Sequence, residues 1–521
     1  MTNGANQNTP LMQRSWGDLL SGATGIFTPR GAGEILDSAI GIFSPRTALE
    51  RGMERSALYA AAKQKGVNQG WMPIDSNVND IIGGSSPAVR GKVRQLVRDF
   101  PYLLRAVNVI VDYTVGTGIR FQSRVQKGNT LKLDTKKINE IESAISFWMD
   151  EADAAGKLHY YEMMGLSKRQ DLETGEFLLV KKHLNDPKRF IPYALQQYEP
   201  DWLTDNGATP QGSNKVEQGI EFAPLTGQVA AYHFTDPDSW GKTIRISAEH
   251  VIHGFRTLRP GQLRGISELA AAVLPAHDLS GLMSSELSAA KMASKWLAVV
   301  KLLDPVGAQI GEGVTTSPTG KKIKTLENGI IQYLRKGEDI DFKANPRPGT
   351  NFPPFVRLIL TMISVVTGAP YELLSGDYQK LNLATGKLVR ADFSQQLRPI
   401  SMRHVRHFGT PTLQPFFDSA VLAGKLNLPG YFTNPHKWQR GEWQPPGMDS
   451  GDTLRDTKAH INQVKSLLRS PQEICKARGR EYEDVLNEIV EAKRLAMEKG
   501  LTEEDVSTAM ANNPTAVADQ K

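Results

Sequence analysis

Between Ile266 and Leu303 the chain carries its longest helical pattern, with Leu269, Val273, Leu279, Met283, Leu287 and Ala290 on one stripe and Ala and Ser crowding the other faces. A continuous helix over that span would be a rod of roughly 55 Å, with Pro275 ending or kinking its first two turns. So long a helix with so few large side chains cannot bury itself against a single small core. It is suited to packing closely beside similar helices and would be unusual in a single globular domain.

The rest of the chain is organised around that rod. Residues 1–85 are rich in Gly, Ser, Asn and Pro and contain one near-repeat, GATGIFTPR ending at Arg30 and SAIGIFSPR ending at Arg46. One repeat is too little for a solenoid, which needs roughly three or more units, so the segment reads as a partly flexible N-terminal arm. From Ser86 a helical face runs through Val93, Leu96, Val97, Phe100, Leu103, Leu104, Val107, Ile110, Val111 and Thr114, and it breaks at Gly116 and Gly118 before a strand. These glycines follow a helix instead of opening one, so they do not form a nucleotide loop. Gly175 to His253 is a series of short β-leaning runs, with Pro224–Gly227 as a hairpin turn. Asp304 to Asn345 returns to strands and turns. A second apolar helix is predicted over Phe352–Thr367, with Pro353 and Pro354 near its start and Gly368 and Pro370 at its end. A polar loop, Glu372 to Gly386, leads into an Arg-bearing helix from about Lys387 to Gly409. Two charged helices over Lys458–Gly500 follow, joined by a turn around RSPQEICKARG, and the last residues read as a frayed tail.

Composition narrows the function classes. The 521 residues are 40% hydrophobic and 23% charged, as in soluble globular proteins. No window approaches the roughly 18 to 20 apolar residues of a membrane span, and the N-terminus does not resemble a signal peptide, so a soluble, non-secreted protein is expected. The one cysteine, Cys475, permits neither an internal disulfide nor a multi-Cys zinc site. Net charge is only +6, with 15 basic and 9 acidic side chains in residues 1–130 against 11 and 15 in residues 441–521. Phosphate contact is therefore expected near the start of the chain and repulsion near its end.

Catalytic signatures are missing. The sequence has no GxxxxGK[ST] loop, HExxH helix, GxSxG elbow or EF-hand loop. His250 and His253, three apart, read as structural residues at a strand edge. His404 and His407 lie among arginines that disfavour a metal cation. Glu338, Asp339 and Asp341 read as a solvated charged turn. No cofactor or metal is expected, and no enzymatic activity.

Five ordered runs, however, resemble the lambda-type family of tailed-phage portal proteins. They are RDFPYLLRAVNVIVDYTVGTGIRFQS (Arg98 to Ser123), LETGEFLLVKK (Leu172 to Lys182), FRTLRPGQLRGISELAAAV (Phe255 to Val273), ISVVTGAPYELLSGDYQKLN (Ile363 to Asn382) and WQPPGMDSGDTLRD (Trp443 to Asp456). The Arg-Pro-Gly-Gln-x-Arg-Gly run is the strongest, and the resemblance runs from about residue 85 to residue 500. One departure is NLATGKLVR at Asn382 to Arg390, where family members often carry Asn-Tyr-Ser-Ser.

The resemblance implies an α+β portal fold assembled as a homo-oligomeric ring, usually of about twelve subunits, at one capsid vertex. Its parts would be a wing (86–255), a first stem helix (256–303), a clip (304–351), a second stem helix (352–371), a channel loop (372–386), a wing helix and return (387–457), and a crown (458–500), with 501–521 a flexible tail. Stem packing would use Leu269, Val273, Met283, Leu287, Ala290, Phe355, Leu358 and Met362. Gln379, Lys380, Asn382, Thr385 and Lys387 would offer weak, sequence-neutral contacts to double-stranded DNA. The clip, through Lys321, Lys322, Lys324, Arg335, Lys336 and Glu338, would dock a large terminase subunit. Further implied partners are the major capsid or scaffold protein and head-tail connector or adaptor proteins, with no membrane. The location implied is the virion, reached by way of the host cytoplasm. The alternatives are a ring or connector that threads no DNA, and a metal-dependent nuclease using Asp339 and Asp341.

Overall fold

The computed structural model describes residues 76–128, 132–236, 241–293, 349–379, 381–447, 453–478, 480 and 482–500, together with the backbone of four short strands between 299 and 341. The chain divides into two units, Met1–Asn77 and Val78–Lys521. All but Ser76 and Asn77 of the first unit lie outside the described residues.

The second unit opens with helices α1 (Val78–Asp99) and α2 (Pro101–Thr114). The helical face read from Ser86 is thus two helices, and the first begins eight residues earlier than the pattern. They part at Phe100, which stands before a proline and is extended at φ −115°, ψ 109°. Strand β1 (Arg120–Ser123) and helices α3 (Thr135–Met149) and α4 (Tyr160–Thr174) follow. Helix α4 is closed at both ends. His159 and Glu162 form a reciprocal cap at its start, and Gly175 at φ 91° ends it in the left-handed region.

The β-leaning runs between Gly175 and Phe255 form two antiparallel sheets. The first has order β3-β2-β8, from β2 (Glu176–His183), β3 (Tyr193–Tyr198) and β8 (Val251–Phe255). The second has order β4-β5-β6-β7, from β4 (Lys215–Glu217), β5 (Ile220–Phe222), β6 (Val229–Thr235) and β7 (Thr243–Ser247). Leu178, Val180 and Val251 of one sheet share an apolar cluster with Ile220, Tyr232 and Phe234 of the other.

The rod differs from its sequence pattern. Helix α5 spans Val273–Ala293, whereas Val299–Leu302 is strand β9, paired antiparallel with β12 (Glu338–Asp341). Pro275 lies in the first turn of α5, where its missing N–H has no helical partner to lose, so it starts the helix instead of kinking it. The two valines at the start of β9 suit a pleated pair better than a helix surface. Glu338, Asp339 and Asp341 accordingly belong to a strand and not to a turn. A second pair, β10 (Thr315–Thr316) and β11 (Lys322–Ile323), lies between them.

Helix α6 (Phe352–Thr367) has the bounds the sequence predicts, with Gly368 at φ 74° closing it. The polar loop is shorter than read. Tyr371–Ser375 forms helix α7 around the buried Leu374, and helix α8 (Leu383–His404) starts where the Asn382 side chain accepts from Thr385 N at 2.7 Å. A π-helical turn, Val405–Gly409, joins α8 to α9 (Thr410–Leu422). The short helix α10 (Pro435–Trp438) and strand β13 (Gly441–Gln444) follow, and β13 pairs antiparallel with β1.

Among the described residues, 453–500 form three helices where two were expected: α11 (Thr453–Lys465), α12 (Pro471–Ala477) and α13 (Tyr482–Glu498). The segment read as a turn is α12, because Ser470 Oγ accepts from Glu473 N at 3.2 Å and Pro471 takes the first helical position. Two further cores hold the unit together. One gathers Trp148, Tyr160, Tyr193, Phe408 and Phe416. The other packs α1 and α2 against the foot of α5, α6 and α8 through Val97, Leu103, Leu269, Ile363 and Phe393.

Candidate assembly face, channel loop and stem anchor

The segment leading into α5 is fixed by a buried carboxylate. Glu176, the first residue of β2, is fully buried. Arg264 Nε donates to both its oxygens at 2.8 and 2.9 Å, Gly265 N donates at 3.0 Å, and His253 Nε2 lies 3.0 Å away. Burial alone would raise the pKa of this carboxyl. The Arg264 charge, with hydrogen bonds from His253 and Arg264, overcomes burial and holds it well below the usual carboxylate range. Arg264 also donates to the carbonyls of Gln218 at 2.8 Å and Pro200 at 3.0 Å.

This geometry gives the Arg-Pro-Gly-Gln-x-Arg-Gly run its meaning. Gly261, at φ 78°, turns the chain. Gln262 closes the turn, accepting from Leu258 N at 2.8 Å and donating to Arg264 O at 2.7 Å. From α1, Asn79 accepts from Leu263 N at 3.0 Å and donates to Gly261 O at 3.1 Å. A side chain on Gly265 would run into the backbone of Gly175. Sequence reasoning singled out this run without assigning its residues a role. Their partner Glu176 is 88 residues away, in another of the recognised runs. His253 is the structural residue expected at the strand edge, whereas His250 is exposed.

A second meeting joins the runs around Gly116 and Trp443. Strand β13 lies on β1, Pro446 sits where a side chain on Gly116 would come within 3.0 Å of it, and the Trp443 ring covers Gly409. Beneath the π-helical turn, His404 is buried, with Nε2 3.0 Å from Met164 O. Burial, reinforced by the charge of Lys168, pushes its pKa down to about 3, so the ring is neutral.

The residues predicted for stem packing divide. Leu269 and Val273 are buried in the chain's own core, so these two are not free for a neighbour, while the half-buried Met283 packs against that core. Ala290 is half-buried. Leu287 on α5 is exposed, and so are Phe355, Leu358 and Met362 on α6. Val365 extends that α6 stripe at 78% exposure, while Leu360 and Ile363 on the opposite side are buried. Helix α6 is therefore apolar on both faces, and one chain covers one of them.

In the loop, Gln379, Asn382 and Thr385 are exposed and Lys387 is half-buried. Asn382 is engaged as the cap of α8. Lys387 lines a groove of about 540 Å³ with Arg105, Tyr378 and Phe393. Lys380, Lys321, Lys324, Arg335 and Lys336 lie outside the described residues, and Lys322 and Glu338 are described in backbone only. Among the described residues no group of three or more His, Cys, Asp or Glu is placed to hold a metal ion, and no helix is long and apolar enough to cross a membrane.

The model of the phage portal proteins of the lambda family matches residues 64–400. This chain belongs to that family. Over 484 residues it is 24% identical to a probable portal protein of Halomonas phage phiHAP-1, covering 88% of this chain and 90% of the relative. Among solved structures it is similar to the neck of a native gene transfer agent particle computed with C12 symmetry, at TM-score 0.44 and 12% identity over 75% of this chain and 91% of that one. It is also similar to a chain of the virion of a native gene transfer agent particle, at TM-score 0.45 and 13% identity over 76% and 93%.

Proposed function

We propose that this portal-family chain is one subunit of a ring at a capsid vertex, through which double-stranded DNA is packaged and later ejected. The observation that carries the reading is the unpartnered apolar stripe of α6, Phe355, Leu358, Met362 and Val365, in a member of this family. A stripe of that kind is stabilised by burial against a neighbouring copy, and a closed ring leaves none of it in water. The role calls for no catalytic turnover. Native mass spectrometry of the purified chain tests it. The expected species is about twelve times 57.4 kDa. A chain that stays monomeric at high concentration and with scaffold protein present overturns it.

Within that reading, the loop from Gly376 to Asn382 and the start of α8 face the DNA, with Gln379, Lys380, Thr385 and Lys387 giving weak contacts to passing phosphates. Gln379 and Thr385 are exposed as this requires. Translocation needs an ATPase, and the sequence has no phosphate-binding loop, so the motor is a separate large terminase subunit that docks on the 304–351 segment. Reversing the charges of Lys321, Lys322, Lys324, Arg335 and Lys336 should weaken capture of the motor at least tenfold. Unchanged capture removes that docking site. After packaging, the same end of the ring passes to head-tail connector proteins.

A further inference from the structure

The helices at the end of the chain bring cations to a place where the net charge of that region predicts repulsion. A cavity of about 250 Å³ is lined by Arg398 of α8, Arg469 just before α12, Lys476 of α12, the hydroxyl-bearing Tyr113 and Ser394, and the corner Pro445–Gly447. Among the described residues its lining has three cations and no carboxylate. The other described polar cavities differ. The one containing Arg120 and Arg480 also contains Glu142, Asp484 and Glu488. The groove containing Arg105, Lys387 and Arg390 also contains Glu372. The acidic excess of residues 441–521 falls largely on α13, at Glu483, Asp484, Glu488, Glu491 and Glu498, away from this lining.

The cavity is built into the packing. Gly447 is pressed onto the end of α12, where a side chain would come within 2.5 Å of Ala477 O and 2.8 Å of Arg478 Cα. Pro446 is seated on Gly116, and Lys476 is held by Glu442 at 2.7 Å. That carboxylate is shared with Arg124 at 3.3 Å, so it is divided between two cations. The only carboxylate near Arg469 among the described residues is Glu473, at the long distance of 3.9 Å. Arg398 has no ion pair among the described residues. Three cations from two segments around a small concavity, with the carboxylates that pair Lys476 and Arg469 outside its described lining, make a site for a compact, strongly charged anion.

We propose that this cavity binds a phosphate group, and that the source of the phosphate is the backbone of double-stranded DNA. The proposal rests on the DNA-handling role above but assigns a contact outside the channel loop, where α8 meets α12. Arg398 contributes a planar fork suited to two phosphate oxygens, and Lys476 and Arg469 contribute charge from the opposite wall. No base is read, so the contact is sequence-neutral.

The test is binding of a labelled random-sequence duplex to the assembled full chain, followed by fluorescence anisotropy across a salt series. Arg398→Gln and Lys476→Gln should each flatten the slope of log K against log salt by about 0.9, the value of one lost phosphate contact, and weaken low-salt binding several-fold. Arg398→Lys should keep the slope. Arg406→Gln removes the same charge from an exposed position outside the cavity and should leave the slope unchanged. Equal slopes in the wild type, Arg398→Gln and Lys476→Gln overturn the proposal. In a parallel arm, inorganic phosphate is titrated while thermal stability is read. Loss of phosphate stabilisation in the variants with an unchanged DNA slope assigns the cavity to a free anion and overturns DNA as the source. The mass of each sample separates this result from the larger reading: an intact ring with an unchanged slope removes only this contact, whereas a wild type that forms no ring removes the portal assembly itself.

Discussion

Glu176 carries a disproportionate share of the order in this chain, because four groups from three segments converge on one buried carboxylate. Breaking such a pair from one side leaves a charge buried and uncompensated, which costs about 3–5 kcal/mol. Glu176→Gln should therefore lower stability by that order in urea unfolding at neutral pH, and Arg264→Met should match it. Arg264→Lys should recover only part, since one ammonium cannot span both carboxylate oxygens. His404 and Glu176 are two of the groups that shape the acid limb of wild-type stability, beside His407, whose pKa burial also lowers, and Glu221, whose carboxyl its bond to Arg245 holds low. The folded pKa of His404 is lowered to about 3 from an ordinary 6.5, so its contribution is full above pH 6.5 and is lost as pH falls toward 3. Glu176 is depressed as well, so its contribution is full above the ordinary carboxylate value and is lost only below about pH 4.3. Replacing His404 with Gln, which keeps a donor toward Met164 O, should flatten the limb between about pH 6.5 and 4.5 and leave the steeper fall below it. A limb unchanged by that replacement would show that the buried ring does not titrate in this window.

At the scale of elements, helix α6 makes two opposite predictions from residues five positions apart, on different faces. Leu358 points away from the chain's own core and Ile363 into it, at 58% and 0% exposure. Leu358→Glu should leave the melting of the dissociated chain within about 0.5 kcal/mol of wild type while abolishing the high-mass species. Ile363→Ala should cost about 2–4 kcal/mol of chain stability. Native mass and urea unfolding of both variants separate the two faces. If Leu358→Glu assembles normally, this face is not the one between subunits. The bounds of α6 were legible because prolines and a glycine punctuate them at the positions a helix tolerates. The end of α5 was not, because the strand identity of Val299–Leu302 is decided by pairing with Glu338–Asp341, which a local pattern cannot contain. The stem stripe was half legible for a similar reason. Period 3.6 marks Leu269, Val273 and Leu358 alike as apolar, and only the packing of α1, α2 and α8 says which of them is already covered. The Arg398, Arg469 and Lys476 cavity was hidden altogether, since its cations come from separate segments and regional net charge suggests the reverse.

At the scale of the whole molecule, exposed apolar surface couples stability to concentration. In the proposed ring, each neighbour that covers Leu287, Phe355, Leu358, Met362 and Val365 favours the folded subunit by mass action. For a large ring, each tenfold rise in chain concentration adds about 1.3 kcal/mol per subunit to the folded side, which for a chain of this size raises the melting midpoint by about 1–2 °C. Scanning calorimetry over two decades of concentration should show that drift for wild type and a flat line for Leu358→Glu. High salt should leave the drift in place, because the surfaces that drive it are apolar and screening acts only on charges. A drift that instead collapses with salt would move the source of assembly from the α6 stripe to charged surfaces.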